Sequence, residues 1–306
     1  MKLEIIFLGT GAGVPSKERN VSSLVLSMVE EYNAMWIFDC GEGTQHQLLH
    51  TSLKPRKINK IFITHLHGDH LFGLPGLLSS RSFLGGDDLL TIYGPPGINE
   101  YVQTSLRLSD TRMTYPLEIH QVEEGIVFED DHFIVSCKKL DHRITSFGYR
   151  IEEKDKQGPL LVDKLQAAGI KPGSIYKEIK ENESITLSNG KTLRTAPFIG
   201  PSKKGKTITI MGDTRYRKEY EPFVFNSDLL IHEATFAQAK QNLAVQYYHS
   251  TTVEAATLAK NSNVKKLVLN HLSSRYQKED LPQFLNEAQE IFPKTELAHD
   301  FLHVTV

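Results

Sequence analysis

The stretch FITHLHGDH, residues 62–70, places three histidines and an aspartate within six positions directly after an apolar run. Imidazoles this close together repel one another once protonated, and burying them beside a carboxylate costs desolvation energy unless a cation compensates. Nitrogen and oxygen ligands of this kind suit zinc or a similar divalent ion. His65, His67, Asp69 and His70 are therefore predicted metal ligands.

Other apolar runs also lead into side chains that can bind metals. KIFIT leads into His65, SCKKL into Asp141-His142, TITIMG into Asp213 and KKLVLN into His271. Ligands of open α/β sheets bind beyond the carboxyl ends of the strands, so these positions can converge on one site. An isolated histidine such as His142 is more often a hydrogen-bonded loop residue, so convergence is a hypothesis at this stage.

The number of candidate ligands bears on the number of ions. They are seven: His65, His67, Asp69, His70, His142, Asp213 and His271. One tetrahedral zinc takes four ligands. Two ions that share a carboxylate fit the larger set, and ions about 3.5 to 4 Å apart can stabilise both the attacking and the leaving oxygen of a phosphate displacement.

The elements that must position these ligands are short apolar runs that alternate with helix-length segments. The predicted strands are LEIIFLG, SSLVLSM, MWIFDC, KIFIT, LTIYG, HFIVSC, SFGYRI, TITIMG, DLLIH, KKLVLN and LHVTV. The predicted helices cover 43–51, 73–84, 98–107, 252–260 and 280–291. Many strands with interspersed helices indicate a layered α/β protein.

Composition restricts the class of protein. A chain of 306 residues with 40% hydrophobic and 24% charged residues can bury a sizeable core, and no apolar run approaches the roughly 18 residues of a membrane span. MKLEIIFLGTG reads as a first strand and not as a signal peptide. The two cysteines, Cys40 and Cys137, are too few for a disulfide framework. We expect a cytoplasmic protein with no membrane partner.

One segment, residues 152–195, departs from this pattern with weak apolar periodicity, a Gly-Pro, a Lys-Pro-Gly and many lysines. Residues 150–206 carry 12 Lys/Arg and 7 Asp/Glu, a net charge of +5 that leaves −7 for the rest of the chain. Charge runs are usually just exposed, so a solvated surface subdomain is one interpretation. Binding of a polyanion is the other.

The motif THLHGDH, followed by His142, Asp213 and His271, resembles the metallo-β-lactamase superfamily. The resemblance extends nearly end to end and implies one domain over 1–306, a four-layer αββα sandwich with a dinuclear site at one edge of its two sheets. It also implies how the ligands divide. His65, His67 and His142 would bind one zinc, Asp69, His70 and His271 the second, and Asp213 would bridge them; manganese or iron suits the same ligands.

Further motifs narrow the family. PSKERN, residues 15–20, resembles a loop of the ribonuclease Z family, and HLSSRY, 271–276, adds an arginine just past a metal ligand. Arginine and lysine hold phosphates, the first as a bidentate fork and the second as a point charge. The resemblance therefore implies RNA-binding roles for Lys17, Arg19, Asn20 and Arg275.

HEATF at 232–236 and HST at 249–251 resemble paired loops of the same family, and AHDF at 298–301 resembles its motif before the final strand. A histidine beside a carboxylate is well placed as a general acid, because the carboxylate holds one tautomer and favours the charged form. His249 is the predicted proton donor to the leaving oxygen, Glu233 orients it, and Asp69 is the predicted base toward the attacking water.

The lysine-rich segment resembles the family's RNA-gripping arm through Gly158-Pro159 and GIKPG, 169–173. The resemblance implies an inserted, protruding flexible arm over 152–195 that binds tRNA, and a homodimer in which each arm serves the neighbouring active site. The arm tip, GSIYKEIK, lacks the further Gly-Pro of the family pattern. Phosphate contacts of this kind carry little sequence information, so we expect recognition of tRNA shape. The family resemblance implies an RNA substrate and no DNA partner.

Together these resemblances imply a zinc-dependent endoribonuclease that cuts precursor tRNA after the discriminator nucleotide, leaving a tRNA 3′-hydroxyl and a 5′-phosphorylated trailer. The same scaffold also supports hydrolysis of small phosphodiesters, aryl sulfates or thioesters, because fold alone does not choose a reaction. These alternatives need neither PSKERN nor a basic arm. A non-catalytic RNA-binding protein would not need all seven ligands.

Overall fold

The computed structural model describes residues 3–187 and 190–306, so residues 188 and 189 of the predicted arm lie outside it. The strands are β1 (Glu4–Gly9), β2 (Gly11–Ala12), β3 (Ser23–Met28), β4 (Ala34–Phe38), β5 (Ile58–Phe62), β6 (Leu90–Gly94), β7 (Leu117–Gln121), β8 (Gly125–Glu129), β9 (Phe133–Leu140), β10 (Ser146–Glu153), β11 (Ser184–Thr186), β12 (Thr192–Arg194), β13 (Thr207–Ile210), β14 (Leu229–Glu233), β15 (Leu267–Asn270), β16 (Leu272–Ser273), β17 (Thr295–Leu297) and β18 (His303–Thr305). The α-helices are α1 (Val29–Tyr32), α2 (Thr44–Leu49), α3 (Gly68–Leu71), α4 (Leu74–Phe83), α5 (Ile98–Leu108), α6 (Val162–Ala167), α7 (Ile175–Glu181), α8 (Glu221–Val224), α9 (Gln241–Tyr247), α10 (Thr252–Asn261) and α11 (Leu281–Ile291).

The first seven-stranded sheet has the order β18-β1-β3-β4-β5-β6-β7. Side chains on a strand alternate between its two faces, and β4 shows the consequence. Met35 and Ile37 pack in a core cluster with residues of α2, α4 and α5. Trp36 and Phe38 point to the other face and contact the ring of Phe62 on β5. Both faces of this sheet are therefore covered.

The second seven-stranded sheet has the order β17-β15-β14-β13-β10-β9-β8. Aromatic side chains join it to the first sheet: the rings of Phe62 and Tyr149 lie 5.2 Å apart, and the Tyr149 hydroxyl donates to the carbonyl of Ile63 at 2.8 Å. Its other face packs against α8, α10 and α11 through residues such as Val224, Ala256 and Phe284. The layers are helix, sheet, sheet, helix, as predicted.

Parallel pairing explains how distant residues reach one edge of these sheets. β4 pairs with β5 in parallel, and β13, β14 and β15 also run parallel. Carboxyl ends of parallel strands lie at the same edge, so the residues that follow them share that edge. Asp39 and His65 follow strands of the first sheet, and Asp213 and His271 follow strands of the second.

The chain divides into two compact units. The first contains residues up to Asp130, Ile134–Ile151 and Thr207–Val306; the second contains Asp131–Phe133 and Glu152–Lys206. The second unit holds α6, α7 and the antiparallel hairpin of β11 and β12 around a small apolar cluster of Leu165, Ile170, Ile179 and Ile185. The lysine-rich segment thus has its own core, and this unit extends past residue 195 to Lys206.

All five predicted helices and all eleven predicted strands are present. The strands that sequence patterns missed include β7, β8 and β17, which lie at the ends of their sheets. β7 reads LEIHQ and exposes much of its length, so it has no apolar run to detect. In the described residues, no helix is long and apolar enough to cross a membrane.

Candidate metal centre and active site

The seven predicted metal ligands lie together at the shared edge of the two sheets. His65 follows β5, the next three ligands lie just before or within α3, and His142 follows β9. Asp213 follows β13, and His271 lies between β15 and β16. Their donor atoms form overlapping groups in which every atom is within 4.8 Å of the others, as a metal site requires. The convergence predicted from strand ends is present in the structure.

Three imidazoles form one group. The Nδ1 of His67 lies 3.1 Å from Nε2 of His65 and 3.2 Å from Nε2 of His142. His67 therefore presents a different nitrogen from its two neighbours. Three imidazole nitrogens that face a common point form a ligand set that zinc binds through neutral rings.

A second group contains Asp69, His70 and His271. The Nε2 atoms of the two histidines lie 3.2 Å apart, and the Oδ2 of Asp69 is 3.3 Å from that of His271 and 3.5 Å from that of His70. Asp213 lies between the groups: its Oδ2 is 3.7 Å from Nε2 of His65 and 3.4 Å from Nε2 of His271. A single carboxylate thus reaches both sets of ligands.

The charge of this cluster fits divalent cations. Burial alone would raise the pKa of Asp213, but the surrounding histidines, His271 foremost, lower it well below its ordinary value. Burial also opposes ionisation of Asp69, and His70 and His271 lower the pKa of that carboxyl in the same way. Burial and the neighbouring His70 lower the pKa of His65 well below its ordinary value. Two carboxylates held in their charged form beside His65, which burial keeps neutral, suit a bound divalent cation.

Asp39, Thr64, His65 and His70 form what we call the Asp39 set. His70 Nδ1 donates directly to Oδ2 of Asp39 at 2.7 Å. The Thr64 hydroxyl donates to the same carboxylate at 2.8 Å, so its oxygen accepts from Nδ1 of His65 at 2.9 Å. Each histidine therefore carries its proton on Nδ1 and directs Nε2 at the metal site.

A second group, which we call the Glu233 set, repeats this arrangement at the edge of the second sheet. It contains Glu233, Thr235, His249 and His271. His249 Nδ1 donates directly to Oε1 of Glu233 at 2.9 Å. The Thr235 hydroxyl donates to Oε2 at 2.7 Å, and its oxygen accepts from Nδ1 of His271 at 2.9 Å. Burial would lower the pKa of His249, but the Glu233 carboxylate outweighs it and raises that pKa to about 9.

A cavity of about 380 Å³ opens in front of the ligands. His67, Asp69, His142, Asp213 and His271 line it together with His249. The remaining wall is mixed: it includes Gly13, Arg143, Thr235, Phe236, Tyr247, Ser273 and Arg275. The cavity therefore joins a metal-binding floor, one protonatable histidine and two arginines, which suits a phosphate ester.

Comparison with known proteins decides the family. A chain from Oceanobacillus iheyensis named ribonuclease Z is 59% identical over 301 residues, covering 98% of both chains. This chain belongs to the ribonuclease Z family.

Solved structures agree with that assignment. Human tRNase Z, short form, is 32% identical, covers 99% of this chain and 98% of its own, and superposes with a TM-score of 0.71. The metallo-β-lactamase fold protein YhfI from Bacillus subtilis is 19% identical over 100% of both chains with a TM-score of 0.69, which supports the fold alone. A family model described as anti-Pycsar protein Apyc1 matches residues 3–148.

In this ribonuclease Z family member, the PSKERN loop is fastened to AHDF. The guanidinium of Arg19 donates to the Ala298 carbonyl and to the Thr10 hydroxyl, both at 2.6 Å, and burial lowers its pKa. The backbone N–H of Asn20 donates to Asp300 at 2.7 Å, and the Asn20 side chain donates to the carbonyl of Glu42. These contacts shape the loop, while Lys17 is exposed and lines a neighbouring cleft of about 340 Å³.

The remaining predicted RNA-binding residues lie in two places. Arg275 is exposed at the cavity wall, where its guanidinium stacks over Phe236 at 5.1 Å. Gly158 and Pro159 belong to the second unit. A side chain at Gly158 would meet the Gly200 carbonyl oxygen at 2.0 Å, and the N–H of Gly200 donates to the Pro159 carbonyl. These two residues therefore have a packing role within their own unit.

Sequence reasoning missed most of the residues that orient the ligands. Asp39 directly follows the apolar part of MWIFDC, at the end of β4, so the strand-end rule applied to His65 and Asp213 also selects it. Thr64 lies inside FITHLHGDH and Thr235 inside HEATF, but a threonine in either motif does not by itself indicate a partner for a metal ligand. Tyr248, whose carbonyl accepts from Nδ1 of His142 at 2.9 Å, carries no sequence signal for this role because the contact uses its backbone.

Proposed function

We propose that this chain is the endoribonuclease that removes the 3′ trailer from precursor tRNA, cutting after the discriminator nucleotide. Membership in the ribonuclease Z family supports the reaction class, which is hydrolysis of an RNA phosphodiester during tRNA 3′ maturation. One observation supports it most directly. Seven metal donors and a histidine whose pKa is about 9 line or border the same cavity.

The proposed cofactors are two zinc ions. His65, His67 and His142 would hold one, Asp69, His70 and His271 the other, and Asp213 would reach both, in line with the donor distances. When bound, two such cations activate a water and offset the charge of the phosphoryl oxygens. Manganese or iron fits the same nitrogen and oxygen donors.

Two side chains handle the protons in this mechanism. Asp69, held in place by the N–H of Gly13 at 2.8 Å, takes the proton of the attacking water. His249, kept protonated by Glu233, donates to the departing O3′ of the discriminator nucleotide. Water is the nucleophile, so the RNA 2′-hydroxyl is not consumed. The products are a tRNA 3′-hydroxyl and a 5′-phosphorylated trailer.

The proposed substrate contacts include the cavity wall and the neighbouring cleft. Arg275 and Lys17 are exposed cations next to the site, suited to backbone phosphates. Gly158 and Pro159 belong to the second unit, which would bind tRNA as an arm. The proposed assembly is a homodimer in which each arm serves the neighbouring active site. The two cysteines are free and buried, consistent with a reducing cytoplasm in which precursor tRNA is found.

The direct test is incubation with a precursor tRNA that carries a 3′ trailer, with and without a chelator. We expect one metal-dependent cut after the discriminator nucleotide, with a 3′-hydroxyl and a 5′-phosphate at the new ends. Asp69→Ala serves as the matched control, because it should bind the RNA and not cut it.

Two results would contradict the proposal. A 2′,3′-cyclic phosphate at the cut would show that the RNA hydroxyl attacks in place of water. No cleavage in the presence of zinc or manganese, together with turnover of a small ester by a variant lacking 152–195, would indicate one of the small-ester hydrolases of this fold.

A further inference from the structure

A closed ring of contacts connects His142 to the backbone beside His249 through Asp141, Arg215 and Tyr248. The guanidinium of Arg215 donates twice to the carboxylate of Asp141, from Nε at 3.1 Å and from a terminal nitrogen at 3.0 Å. The central guanidinium carbon of Arg215, Cζ, lies 4.0 Å from the ring centroid of Tyr248. The Tyr248 carbonyl accepts from Nδ1 of His142 at 2.9 Å, and His142 follows Asp141 in the chain.

Tyr248 sits at a point of backbone strain. Its φ of 64° and ψ of 43° are left-handed values that residues other than Gly, Asn and Asp rarely adopt. Such a conformation persists only where the surroundings hold it. It ends α9, directs the Tyr248 carbonyl to His142 and places His249 next in the chain. A change in the backbone conformation of Tyr248 would therefore displace both His142, a predicted metal ligand, and His249, the predicted proton donor.

The loop after β13 supplies what holds this strained residue. The Arg215 guanidinium stacks on the Tyr248 ring, and the backbone N–H of Arg215 donates to the backbone carbonyl of Asp141 at 3.0 Å. On the other side of His249, the Ser250 hydroxyl donates to the carbonyl of Thr214 at 2.7 Å. The residues flanking His249 are thus both fastened to the segment that follows Asp213.

We propose that Arg215 is a positioning residue that acts through Tyr248 on His142 and His249. The planar guanidinium performs two tasks at once, a bidentate pair with Asp141 and a stack on an aromatic face. A lysine can perform neither in the same geometry. The consequence for turnover rests on the proposed function, whereas the consequence for metal binding through His142 does not.

The test compares Arg215→Gln with Arg217→Gln. Arg217 donates to the same Asp141 carboxylate at 2.6 Å, with 47% of its side chain exposed, which makes it a matched control. For Arg215→Gln we expect kcat on precursor tRNA and on bis(p-nitrophenyl) phosphate to fall about ten- to hundredfold, with a similar loss of zinc affinity in a chelator competition. KM for precursor tRNA should change little. Arg217→Gln should stay within about twofold of the parent in each measurement.

A second pair of variants separates the stack from the backbone. Tyr248→Phe keeps the ring and should retain activity and zinc affinity. Tyr248→Gly accepts a positive φ without strain but removes the ring, so we expect losses like those of Arg215→Gln. This pair decides the question if Arg215→Gln fails to fold, as judged from its thermal melt.

Three results would overturn the inference. Equal losses in Arg215→Gln and Arg217→Gln would assign the effect to the charge around Asp141. A higher KM with unchanged kcat and a shallower salt dependence would make Arg215 a direct RNA-phosphate contact. Full zinc affinity and kcat in Tyr248→Gly would show that the stack is dispensable. If the parent protein does not cut precursor tRNA, the proposed function fails, and zinc affinity still tests the positioning role.

Discussion

The Asp39 set and the Glu233 set use the same chemistry in the two halves of the molecule, with different outcomes. In each, a buried carboxylate accepts directly from one histidine and, through a threonine hydroxyl, from a second. The directly held histidine of the first set is His70, which is 3% exposed and surrounded by other donors. Its counterpart, His249, has a side chain that is 15% exposed and lines the cavity.

Both sets contain a histidine held directly by a carboxylate, and we propose different roles for the two: His70 as a metal ligand and His249 as the proton donor. Both His70 and His249 have a raised pKa despite burial, because carboxylates surround them. The two histidines differ in what surrounds the part of the ring that does not contact the carboxylate. Nε2 of His70 faces other predicted ligands, whereas the His249 ring lines the cavity where substrate would bind. The distinction between a ligand and a proton donor can be tested with four groups of variants, beginning with Asp213, which both sets face.

The largest effect is expected from Asp213→Asn. This change preserves shape but removes the carboxylate charge shared by the two groups of ligands. We expect kcat/KM on precursor tRNA to fall about a thousandfold or more, because several kcal/mol of transition-state stabilisation are lost. Bound metal per chain, measured by mass spectrometry of the native protein, should fall as well. Full metal content with unchanged cleavage would contradict the bridging role.

The next effect separates His249 from His70. His249→Ala should lower kcat by about 10²- to 10⁴-fold, the usual contribution of a general acid, and leave the metal content unchanged. His70→Ala should lower activity by losing metal, so added zinc or manganese should restore part of it. If the His249→Ala protein also contains less metal than the parent, His249 is a metal ligand and has the same role as His70.

A smaller effect concerns pH. The proton donor must be charged to act, so turnover limited by His249 should persist below its pKa of about 9 and decline as pH rises through that value. Glu233→Gln removes the charge that raises this pKa, so the alkaline limb of the kcat profile should move about one to three units lower. Asp39→Asn is the control and should weaken metal binding without moving the limb. An unmoved limb in Glu233→Gln would exclude His249 as the titrating acid.

The smallest effects are expected from the two threonines. Thr64→Val and Thr235→Val each remove one hydroxyl that links a histidine to a carboxylate. A hydrogen bond of this kind contributes about 0.5 to 1.5 kcal/mol, so we expect roughly a tenfold loss of metal affinity or less. Thr→Ser at either position keeps the hydroxyl and should behave like the parent. A loss in Thr→Ser equal to that in Thr→Val would point to the lost methyl group.

Much of this architecture was predictable from the sequence. Continuous apolar runs such as the start of MWIFDC predict strands that are buried on both faces, and the strand-end rule then places His65, Asp213 and His271 at one edge. Edge strands such as β7 stayed hidden because half of their surface is solvated. The positions of the candidate ligands are thus easier to predict than the full extent of each sheet.

Side-chain partners were harder to predict. Arg19 in PSKERN was predicted to hold RNA, and in the structure its guanidinium donates to a protein carbonyl and a hydroxyl. A phosphate oxygen and a backbone carbonyl accept the same hydrogen bond, so sequence alone does not separate the two uses. The positive φ of Tyr248 was equally hidden, because nothing in its side chain favours that conformation.

The spread of the ligands along the chain has a consequence for biosynthesis. The first of them is residue 65 and the last is residue 271, and Asp300 accepts from Thr10 and Asn20 to fasten the PSKERN loop beside the site. A nascent chain released early, before His271, carries the histidines of FITHLHGDH but neither the complete second group nor the fastened loop. An interrupted translation product therefore lacks part of the proposed metal site, and we expect RNA hydrolysis only once almost the entire polypeptide has been made.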